Sequence, residues 1–315
     1  MSVTRARLIL NPAAGSDQAL ANASLLNERL SERFGPIEIV LSVAPGDSEA
    51  AARRAVDDGC GLLFVGGGDG TLNEAVNGVA STAGGLSRVT FGLIPLGTGN
   101  DFAQALGLPV DVEQAIEVLN RDHRVAVDIG RLNGRHFVNV SGGGFIAEVS
   151  EAVTPQMKSV AGRLAYLLGG AQTLLDFEPT WMTLHAEPGG ERTRACVYAF
   201  AACNSRMIGG GRLIAPHALI DDGLLDLCVI EAMPTLEFVA LLRRVAEGDH
   251  VDDPRVRYLQ ASRATLELDR AVLVNTDGEV LETDRCEYDV LPGAGRFLAG
   301  ATPFSSDSAS AGQNV

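Results

Sequence analysis

A glycine-rich turn in the first quarter of the chain carries the residues best suited to chemistry. An apolar stretch ends at Val65, Gly66 to Gly68 follow, and Asp69-Gly70-Thr71 opens a predicted helix. Glycines let the backbone approach a polyphosphate, and the free N–H groups at a helix amino end bind it. The turn has neither the Gly-Lys-Ser/Thr of a P-loop nor the later glycine of a dinucleotide fingerprint. The pattern favours a phosphate-binding turn over a plain strand–helix turn whose glycines serve packing alone.

A second turn of the same kind follows the next predicted strand. It reads Pro95-Leu96-Gly97-Thr98-Gly99-Asn100-Asp101, and Asn100 or Asp101 could simply cap the helix after it. An acid inside an anion-binding loop repels phosphate unless it holds a metal ion or water. Two such turns, each with an acid, therefore indicate a shared nucleotide and its Mg²⁺. A third turn, Asn11-Pro12-Ala13-Ala14-Gly15, follows the first predicted strand, but Asn-Pro alone is an ordinary turn dipeptide.

Two acidic segments mark the second half of the chain. Asp221-Asp222-Gly223 suits a hairpin turn, because Asp-Gly is a common turn dipeptide, and a turn is compatible with a metal site. Asp277 and Glu279 flank Gly278, so in an extended segment both carboxylates would face one side. A turn is the alternative for this segment too.

Strands and helices alternate through the first 130 residues. Apolar strands in such an alternation predict a parallel sheet covered by helices, with ligands at the carboxyl ends of the strands, where the glycine turns lie. The predicted strands are 7–11, 37–41, 62–65 and 90–95, and the predicted helices are 18–34, 47–58, 71–79, 102–106 and 112–119.

After about His123 the pattern becomes β-rich and predicts an antiparallel second domain. The helix predicted over 158–175 has an apolar stripe, for which packing against the sheet is the favoured interpretation and lipid entry the alternative. The predicted fold class is α/β plus β, with the active site in the cleft between the two domains. The predicted strands are 124–129, 136–140, 182–186, 195–202, 224–230 and 265–268, and a second helix covers 236–247. The predicted divisions are a nucleotide domain over 1–127 to which 295–304 return, a β-rich domain over 128–294, and a disordered tail over 305–315.

Composition and charge exclude several classes of function. The 315 residues include 25 Lys and Arg against 40 Asp and Glu, so the formal net charge is −15. This charge disfavours nucleic-acid binding and stable adhesion to anionic lipid. A hydrophobic content of 46% excludes disorder for most of the chain. The five cysteines form no Cys-x-x-Cys pair and indicate buried thiols in a reducing cytoplasm, and we expect neither a signal peptide nor a spanning helix.

The three glycine turns, in this order, resemble the catalytic domain shared by diacylglycerol kinases, sphingosine kinases and bacterial soluble lipid kinases, and the resemblance covers nearly the whole chain. Gly67-Gly68-Asp69-Gly70-Thr71 with Asn73-Glu74 matches the nucleotide loop of that family, and Asn11-Pro12-x-x-Gly15 matches its first-strand motif. NAD kinases and, more loosely, phosphofructokinases share the nucleotide loop, so the matches in the second half favour the lipid kinases. Those matches are Val127-Asp128-Ile129-Gly130, Asp221-Asp222-Gly223-Leu224-Leu225-Asp226 and Asp277-Gly278-Glu279.

The resemblance implies a kinase that uses ATP and Mg²⁺ to phosphorylate a hydroxyl of a membrane lipid. Ser42 stands where the family usually has Thr, which keeps the hydroxyl. Mg²⁺ would be held by Asp222 with the backbone carbonyls of Leu219 and Leu224, a set of oxygen ligands that suits this ion. The implied ATP site consists of Asn11, Pro12, Ala13, Ala14, Gly15, Ser42, Gly67, Gly68, Asp69, Gly70, Thr71, Leu72, Asn73, Glu74 and Thr98.

By the same resemblance, Glu279 would accept the proton of the lipid hydroxyl, and Asp277 is also implicated. Phosphoryl transfer needs mainly positioning and charge neutralisation, with a carboxylate to receive the hydroxyl proton. The acidic network around Mg²⁺ would comprise Asp69, Asp101, Asp128 and Asp222.

One departure from the family pattern follows Gly15, where many relatives carry Lys and this chain has Ser16 and Asp17. Charge neutralisation must then come from Mg²⁺, backbone N–H groups or a distant arginine such as Arg53 or Arg206. This departure keeps open a nucleotide- or lipid-binding regulator with reduced catalysis, and the shared nucleotide loop keeps open a NAD kinase-like enzyme. We expect a cytoplasmic protein that visits the inner membrane face transiently and has a lipid substrate and no nucleic-acid partner. A homodimer stays open, and the sequence does not identify the lipid.

Overall fold

The computed structural model describes residues 5–14, 18–152, 177–190 and 192–306. Gly15, the helix predicted over 158–175 and the tail beyond residue 306 lie outside these residues. Within the described part of the chain, no helix is long and apolar enough to cross a membrane.

The first half of the chain forms the predicted parallel sheet, in the strand order β2-β1-β3-β4. These strands are β1 (Arg5–Leu10), β2 (Ile37–Leu41), β3 (Cys60–Gly67) and β4 (Thr90–Pro95). The helices are α1 (Gln18–Phe34), α2 (Asp47–Asp57), α3 (Asp69–Ala80), α4 (Gly85–Arg88), α5 (Asp101–Ala105) and α6 (Val112–Leu119). In the register of the sheet, Leu8 pairs with Ile39 on one side and Phe64 on the other. Both β3 and β4 are buried almost throughout, which is why their sequences are continuously apolar and do not alternate.

The second half is β-rich and antiparallel, as predicted. Its core is separate from that of the parallel sheet and contains Phe200, Leu266 and Tyr288. The strands are β5 (Arg124–Leu132), β6 (Arg135–Phe137), β7 (Val140–Gly144), β8 (Thr180–Glu187), β9 (Arg192–Cys203), β10 (Leu225–Glu231), β11 (Val256–Ala261), β12 (Arg263–Thr276) and β13 (Glu279–Leu298). The helices are α7 (Phe145–Ala152) and α8 (Thr235–Val245).

Several elements of this half differ from the sequence expectation. The strand predicted over 136–140 is wrong as a single element, because the backbone N–H groups of Val138 and Asn139 turn away to donate to the carboxylate of Asp277. The segment therefore divides into β6 and β7. The expectation also missed α7 and β11, and it found only four residues of β12.

The long strand β13 joins the two halves into one sheet, which contains thirteen strands within the described residues. It runs antiparallel to β12 and β5 and then pairs in parallel with β4, where Phe297 lies opposite Phe91. Its register against β5 shifts between Leu291 and Gly295, and Gly293 has φ +56°. Such a bulge bends a strand and lets it pass from one curved region of a sheet to another.

The carboxyl ends of the parallel strands lie together at one edge of the sheet. The Asn11 N–H donates to the carbonyl of Gly66 at 2.9 Å, and the Leu96 N–H donates to the carbonyl of Gly67 at 3.0 Å. The Ser42 N–H likewise donates to the carbonyl of Leu10 at 2.9 Å. Each turn along this edge is therefore hydrogen-bonded to the end of the neighbouring strand, which brings the turns after all four strands together.

Candidate active site

The turn between β3 and α3 presents backbone N–H groups at the start of a helix. The first hydrogen bond of α3 runs from the Leu72 N–H to the carbonyl of Gly68 at 3.1 Å. The N–H groups of Gly70 and Thr71 precede it, so they have no partner within the helix. A Cβ built on Gly67 would lie 2.6 Å from the Thr71 side chain, so only glycine fits there. This is the local geometry of an anion-binding helix terminus.

The turn after β4 packs directly against the first one. A Cβ built on Gly97 would lie 2.5 Å from the Cα of Gly68, so the two backbones are in contact. Asn100 has φ +53° and closes its own turn, with its amide bonded to both the N–H and the carbonyl of Gly97. Thr98, in the middle of this second turn, is exposed.

Asp69 links these turns through its side chain. Its carboxylate accepts the N–H groups of Asp101 at 3.2 Å and Phe102 at 3.0 Å. The start of α5 is therefore capped by Asp69 from the neighbouring turn, and neither Asn100 nor Asp101 caps it with a side chain. Burial raises the pKa of Asp69 above its usual range, the nearby charge of Asp101 adds to the rise, and the two N–H donors oppose it.

Asp101 joins the first half of the chain to a glycine loop of the second. Its two carboxylate oxygens accept the N–H groups of Gly210 at 3.0 Å and Gly211 at 2.8 Å, and the residue is 3% exposed. Gly209, Gly210 and Gly211 all have φ between +63° and +96°, a run that side-chain-bearing residues rarely adopt. The glycine run was visible in the sequence, but its partner was not.

The turn after β1 is held to α3 by Asn11. The side-chain Nδ2 of Asn11 donates to Oγ1 of Thr71 at 3.1 Å, and the side-chain Oδ1 accepts the N–H of Ala13 at 2.9 Å. Pro12 and Ala14 complete the turn, so the described part of this motif lies beside the amino end of α3.

Ser42 and Glu74 organise the amino end of α2. Ser42 is buried, and its hydroxyl accepts the hydroxyl of Ser48 at 2.8 Å. The carboxylate of Glu74 accepts the N–H groups of Gly46 at 3.0 Å and Ser48 at 3.2 Å. The side chain of Glu74 thus reaches the loop after β2, where it holds that loop against α3.

Leu72 and Asn73 direct their side chains away from the turn. Leu72 is fully buried in the core of the first half. Asn73 is also fully buried, and its amide donates to the carbonyl of His136 at 3.0 Å and to Asp277 at 3.3 Å. Asn73 therefore connects the nucleotide loop to the acidic turn of the second half.

Asp277 and Gly278 form a two-residue hairpin turn between β12 and β13, with φ +47° and +99°. The extended alternative is wrong for this segment. Asp277 is 8% exposed, and its carboxylate accepts the N–H groups of residues 138, 139 and 140 at 2.7, 3.1 and 2.8 Å. Burial raises the pKa of Asp277 to about 6, even though these three donors lower it. Its Oδ1 accepts only the Val140 N–H among these donors, which leaves a lone pair for a further donor.

Glu279 follows the turn and is bound by an arginine that the sequence analysis did not identify. The Arg135 Nε donates to Oε2 of Glu279 at 2.8 Å, and Nη2 donates to the other carboxylate oxygen. The same Nη2 donates to Glu49 of α2 at 2.7 Å. Burial lowers the pKa of Arg135, but the two carboxylates outweigh burial and raise it overall. No motif marks Arg135, because its role depends on two partners that are distant in sequence.

Asp222 lies in a separate acidic cluster beside β10. Burial raises its pKa to about 6, its bond from the Leu224 N–H lowers it, and the charges of Asp226, Asp128 and Asp221 raise it further. Asp128 is buried and accepts the N–H groups of Gly223 and Gly293, both at 2.6 Å. Leu219 and Leu224 flank Asp222 in the chain and are partly exposed.

The carboxylates near Asp222 are of the chemical type that a divalent cation takes as ligands. Carboxylates that raise one another's pKa are relieved by a positive ion, and Mg²⁺ takes carboxylate, carbonyl and water oxygens. Among the described residues, no three or more His, Cys, Asp or Glu side chains are grouped to hold a metal by themselves. A site here would therefore depend on Asp222 together with backbone carbonyls.

The chain matches two family models that together cover most of its length. The diacylglycerol kinase catalytic domain matches residues 5–132, which contain the three glycine turns. The YegS C-terminal NAD kinase beta sandwich-like domain matches residues 139–299, which contain both acidic segments.

Relatives and solved structures agree with these matches. The diacylglycerol kinase of Bacillus subtilis (strain 168) is 31% identical over 87% of this chain and 89% of that protein. The diacylglycerol kinase of Staphylococcus carnosus (strain TM300) is 31% identical over 87% of this chain and 88% of that protein. A crystal structure from Bacillus anthracis str. Sterne has a TM-score of 0.81 at 25% identity, over 96% of this chain and 97% of that one. A crystal structure of a diacylglycerol kinase from the same organism, at 23% identity and a TM-score of 0.75 over 96% of this chain and 99% of that one, shares the fold. The chain therefore belongs to the diacylglycerol kinase family and carries its catalytic domain.

Proposed function

We propose that this protein is a lipid kinase that transfers the γ-phosphate of ATP to a hydroxyl of a diacylglycerol-like membrane lipid, with Mg²⁺ as cofactor. The observation that carries the proposal is the contact between the nucleotide loop and the acidic turn. A Cβ built on Gly70 would lie 3.7 Å from the carbonyl of Asp277, and one built on Gly278 would lie 3.8 Å from the Cα of Gly70. A phosphate at the start of α3 and a hydroxyl at Asp277 would therefore be neighbours in the cleft between the two halves.

The nucleotide would lie along the edge of the parallel sheet. Its phosphates would meet the N–H groups of Gly70 and Thr71, with Asn11 and Thr98 at the sides and Ser42 farther along. Asp222 and the carbonyls of Leu219 and Leu224 would hold Mg²⁺. When bound, such an ion neutralises negative charge on phosphate oxygens.

Asp277 is the better candidate to receive the proton, although the family resemblance gives that role to Glu279. A general base works best with a pKa near the operating pH, and Asp277 has one near 6. Glu279 has both oxygens on Arg135 and is more exposed, which suits it to orient the acceptor. As the lipid oxygen bonds to the γ-phosphorus, its proton passes to Asp277, the bond to the β-phosphate oxygen breaks, and ADP leaves with the electron pair.

The remaining parts of the proposal concern domains and location. The nucleotide domain would comprise residues 1–127 with 295–304, and the lipid domain 128–294. The enzyme would work in the cytoplasm and visit the inner membrane face transiently, because its net charge of −15 opposes lasting adhesion to anionic lipid. A homodimer is compatible with this arrangement.

The test is an incubation of the purified protein with γ-labelled ATP, Mg²⁺ and a mixed lipid extract, followed by chromatography of the products. Asp69→Asn and Asp277→Asn test the two ends of the cleft. Glu267→Gln changes an ion-paired carboxylate on the surface of β12 and serves as the matched control. We expect a labelled lipid from the wild type and the control, and little or none from the two site variants.

Two results would reject the proposal. A labelled product from NAD with none from lipid would identify a NAD kinase-like enzyme. Nucleotide binding without transfer to any acceptor would identify a regulator with reduced catalysis.

A further inference from the structure

Arg135 bridges helix α2 of the first half and the acidic turn of the second. It binds both oxygens of Glu279 and one oxygen of Glu49. The side chains of Arg135, Glu279 and Glu49 are 33%, 39% and 35% exposed, so this group is partly open to solvent and lies outside the core. A planar guanidinium that grips a carboxylate through two N–H groups fixes the orientation of that carboxylate.

The backbone of Arg135 is held firmly to α3 through the next residue. The N–H of His136 donates to Oδ1 of Asn77 at 3.0 Å, and the Asn77 amide donates back to the His136 carbonyl at 2.9 Å. Asn73 donates to the same carbonyl at 3.0 Å. The base of the Arg135 side chain therefore has a defined position relative to the nucleotide loop.

Glu49, the second partner, is fixed by the packing of α2 against α3. It lies in the first turn of α2, and a Cβ built on Gly78 of α3 would lie 2.2 Å from its carbonyl oxygen. Glu74 holds the preceding residues of α2 through the N–H groups of Gly46 and Ser48. Glu49 thus has a fixed place from which to hold the guanidinium.

Glu279, in contrast, begins a strand directly after a glycine with φ +99°. The side-chain bonds of Glu279 within the described residues run to Arg135, so Arg135 decides where this carboxylate points. Arg135 also neutralises charge, because the carboxylates of Glu49 and Glu279 both face its guanidinium. Without Arg135, Glu49 and Glu279 would repel each other across the cleft.

We propose that Arg135 is a positioning residue for phosphoryl transfer, which acts by holding Glu279 at the acceptor end of the cleft with Glu49 as its anchor. The inference rests on the proposed kinase function. It assigns Arg135 an effect on the acceptor side and none on nucleotide binding.

The experiment measures kcat and KM for ATP and lipid in Arg135→Gln, Glu279→Gln and the double variant. Arg131→Gln is the matched control, because Arg131 binds Asp289 through the same two donor groups, is 35% exposed and is paired with a carboxylate other than Glu49 and Glu279. We expect Arg135→Gln to lower kcat about 10- to 100-fold, the range for a misplaced group, with the KM for ATP changed by less than about twofold. In the Glu279→Gln background the same change should cost less than about twofold, since Arg135 acts through Glu279. Arg135→Lys should recover only part of the rate, because Lys keeps the charge and loses the fork.

Three results would overturn the inference. A rise in the KM for ATP with kcat retained would make Arg135 a phosphate ligand. Fully additive effects of the two substitutions would show that Arg135 does not act through Glu279. A loss of kcat equal to that of Arg131→Gln would show that Arg135 contributes only to general stability.

A failure of the proposed kinase function can be distinguished from a failure of the positioning claim. If the wild type phosphorylates no lipid, the kinase proposal fails, and amide hydrogen exchange of the segment 275–282 decides the positioning claim. Exchange should be faster in Arg135→Gln than in the wild type and unchanged in Arg131→Gln. Equal exchange in all three proteins would refute the claim.

Discussion

The buried carboxylate of Asp277 makes the rate of transfer depend on pH in a predictable direction. Burial raises its pKa to about 6. A proton acceptor must be ionised, so kcat/KM should fall about tenfold for each pH unit below 6 and level off above about pH 7. Asp277→Asn cannot accept a proton, and we expect it to lower kcat about 10²- to 10⁴-fold and to remove this acid limb.

The same group makes stability depend on pH with the opposite trend. In the unfolded chain Asp277 returns to its ordinary pKa of 3.8. Because the folded pKa is the higher one, the folded protein keeps a proton between about pH 4 and pH 6 that the unfolded chain releases, so stability falls as pH rises through this window. The difference between the two pKa values corresponds to about 3 kcal/mol in the free energy of unfolding.

Denaturant unfolding at pH 4, 5, 6 and 7 measures this contribution. The free energy of unfolding of the wild type, minus that of Asp277→Asn, should decrease by about 2 kcal/mol from pH 4 to pH 7, since the unfolded chain still holds part of the proton at pH 4. Asp284→Asn, a substitution at an exposed position of β13, controls for the loss of one charge. An acid limb near pH 6 that persists in Asp277→Asn, or a stability difference that does not change with pH, would refute the assignment.

Three further substitutions test other parts of the structure. Gly78→Ala should destabilise the fold by about 1–3 kcal/mol in denaturant unfolding, although Ala normally stabilises a helix, because its Cβ would meet the Glu49 carbonyl at 2.2 Å. Gly70→Ala in the same helix should not destabilise the fold, because its Cβ would lie 3.7 Å from the nearest atom, the carbonyl oxygen of Asp277. Equal losses of stability in the two variants would contradict the α2–α3 packing. Glu74→Gln replaces an acceptor of two N–H groups and should raise the KM for ATP several-fold with little change for lipid, since it frees the loop after β2. Asp222→Asn should abolish the rise in melting temperature that Mg²⁺ gives the wild type, and it should raise the metal-free melting temperature at pH 7 by removing charge repulsion. An unchanged response to Mg²⁺ would place the metal elsewhere.

Local patterns in the sequence were sufficient for the first half of the fold. Short apolar strands, each followed by a turn and a helical stretch, predict parallel strands joined by helices. The helix Gln18–Phe34 and the strands Ile37–Leu41 and Thr90–Pro95 have the predicted bounds. Thr90–Pro95 is encoded locally because it is buried throughout, and burial on both faces leaves no alternating pattern.

The second half was correctly predicted to be β-rich and antiparallel, but the bounds of its strands were predicted less well. The ends of its strands depend on partners elsewhere in the chain. β6 and β7 separate because Asp277, almost 140 residues away, takes the N–H groups between them. The path of β13 from β12 to β4 depends on a bulge near Gly293 that no local pattern announces.

The sequence by itself predicted the kind of chemistry, because glycines at strand ends and acids beside them suit phosphate and metal whatever surrounds them. The tertiary structure alone decided what each acid does. Asp69 caps α5, Asp101 binds the glycine loop of the other half, and Asp277 is buried with a raised pKa. The tertiary structure also places Arg135 beside the acidic turn, although its two carboxylate partners lie more than 80 residues away in the chain, one on either side. The physical reason is that a side chain's charge and hydrogen-bonding capacity are local properties, whereas its burial and its partners depend on how distant segments pack.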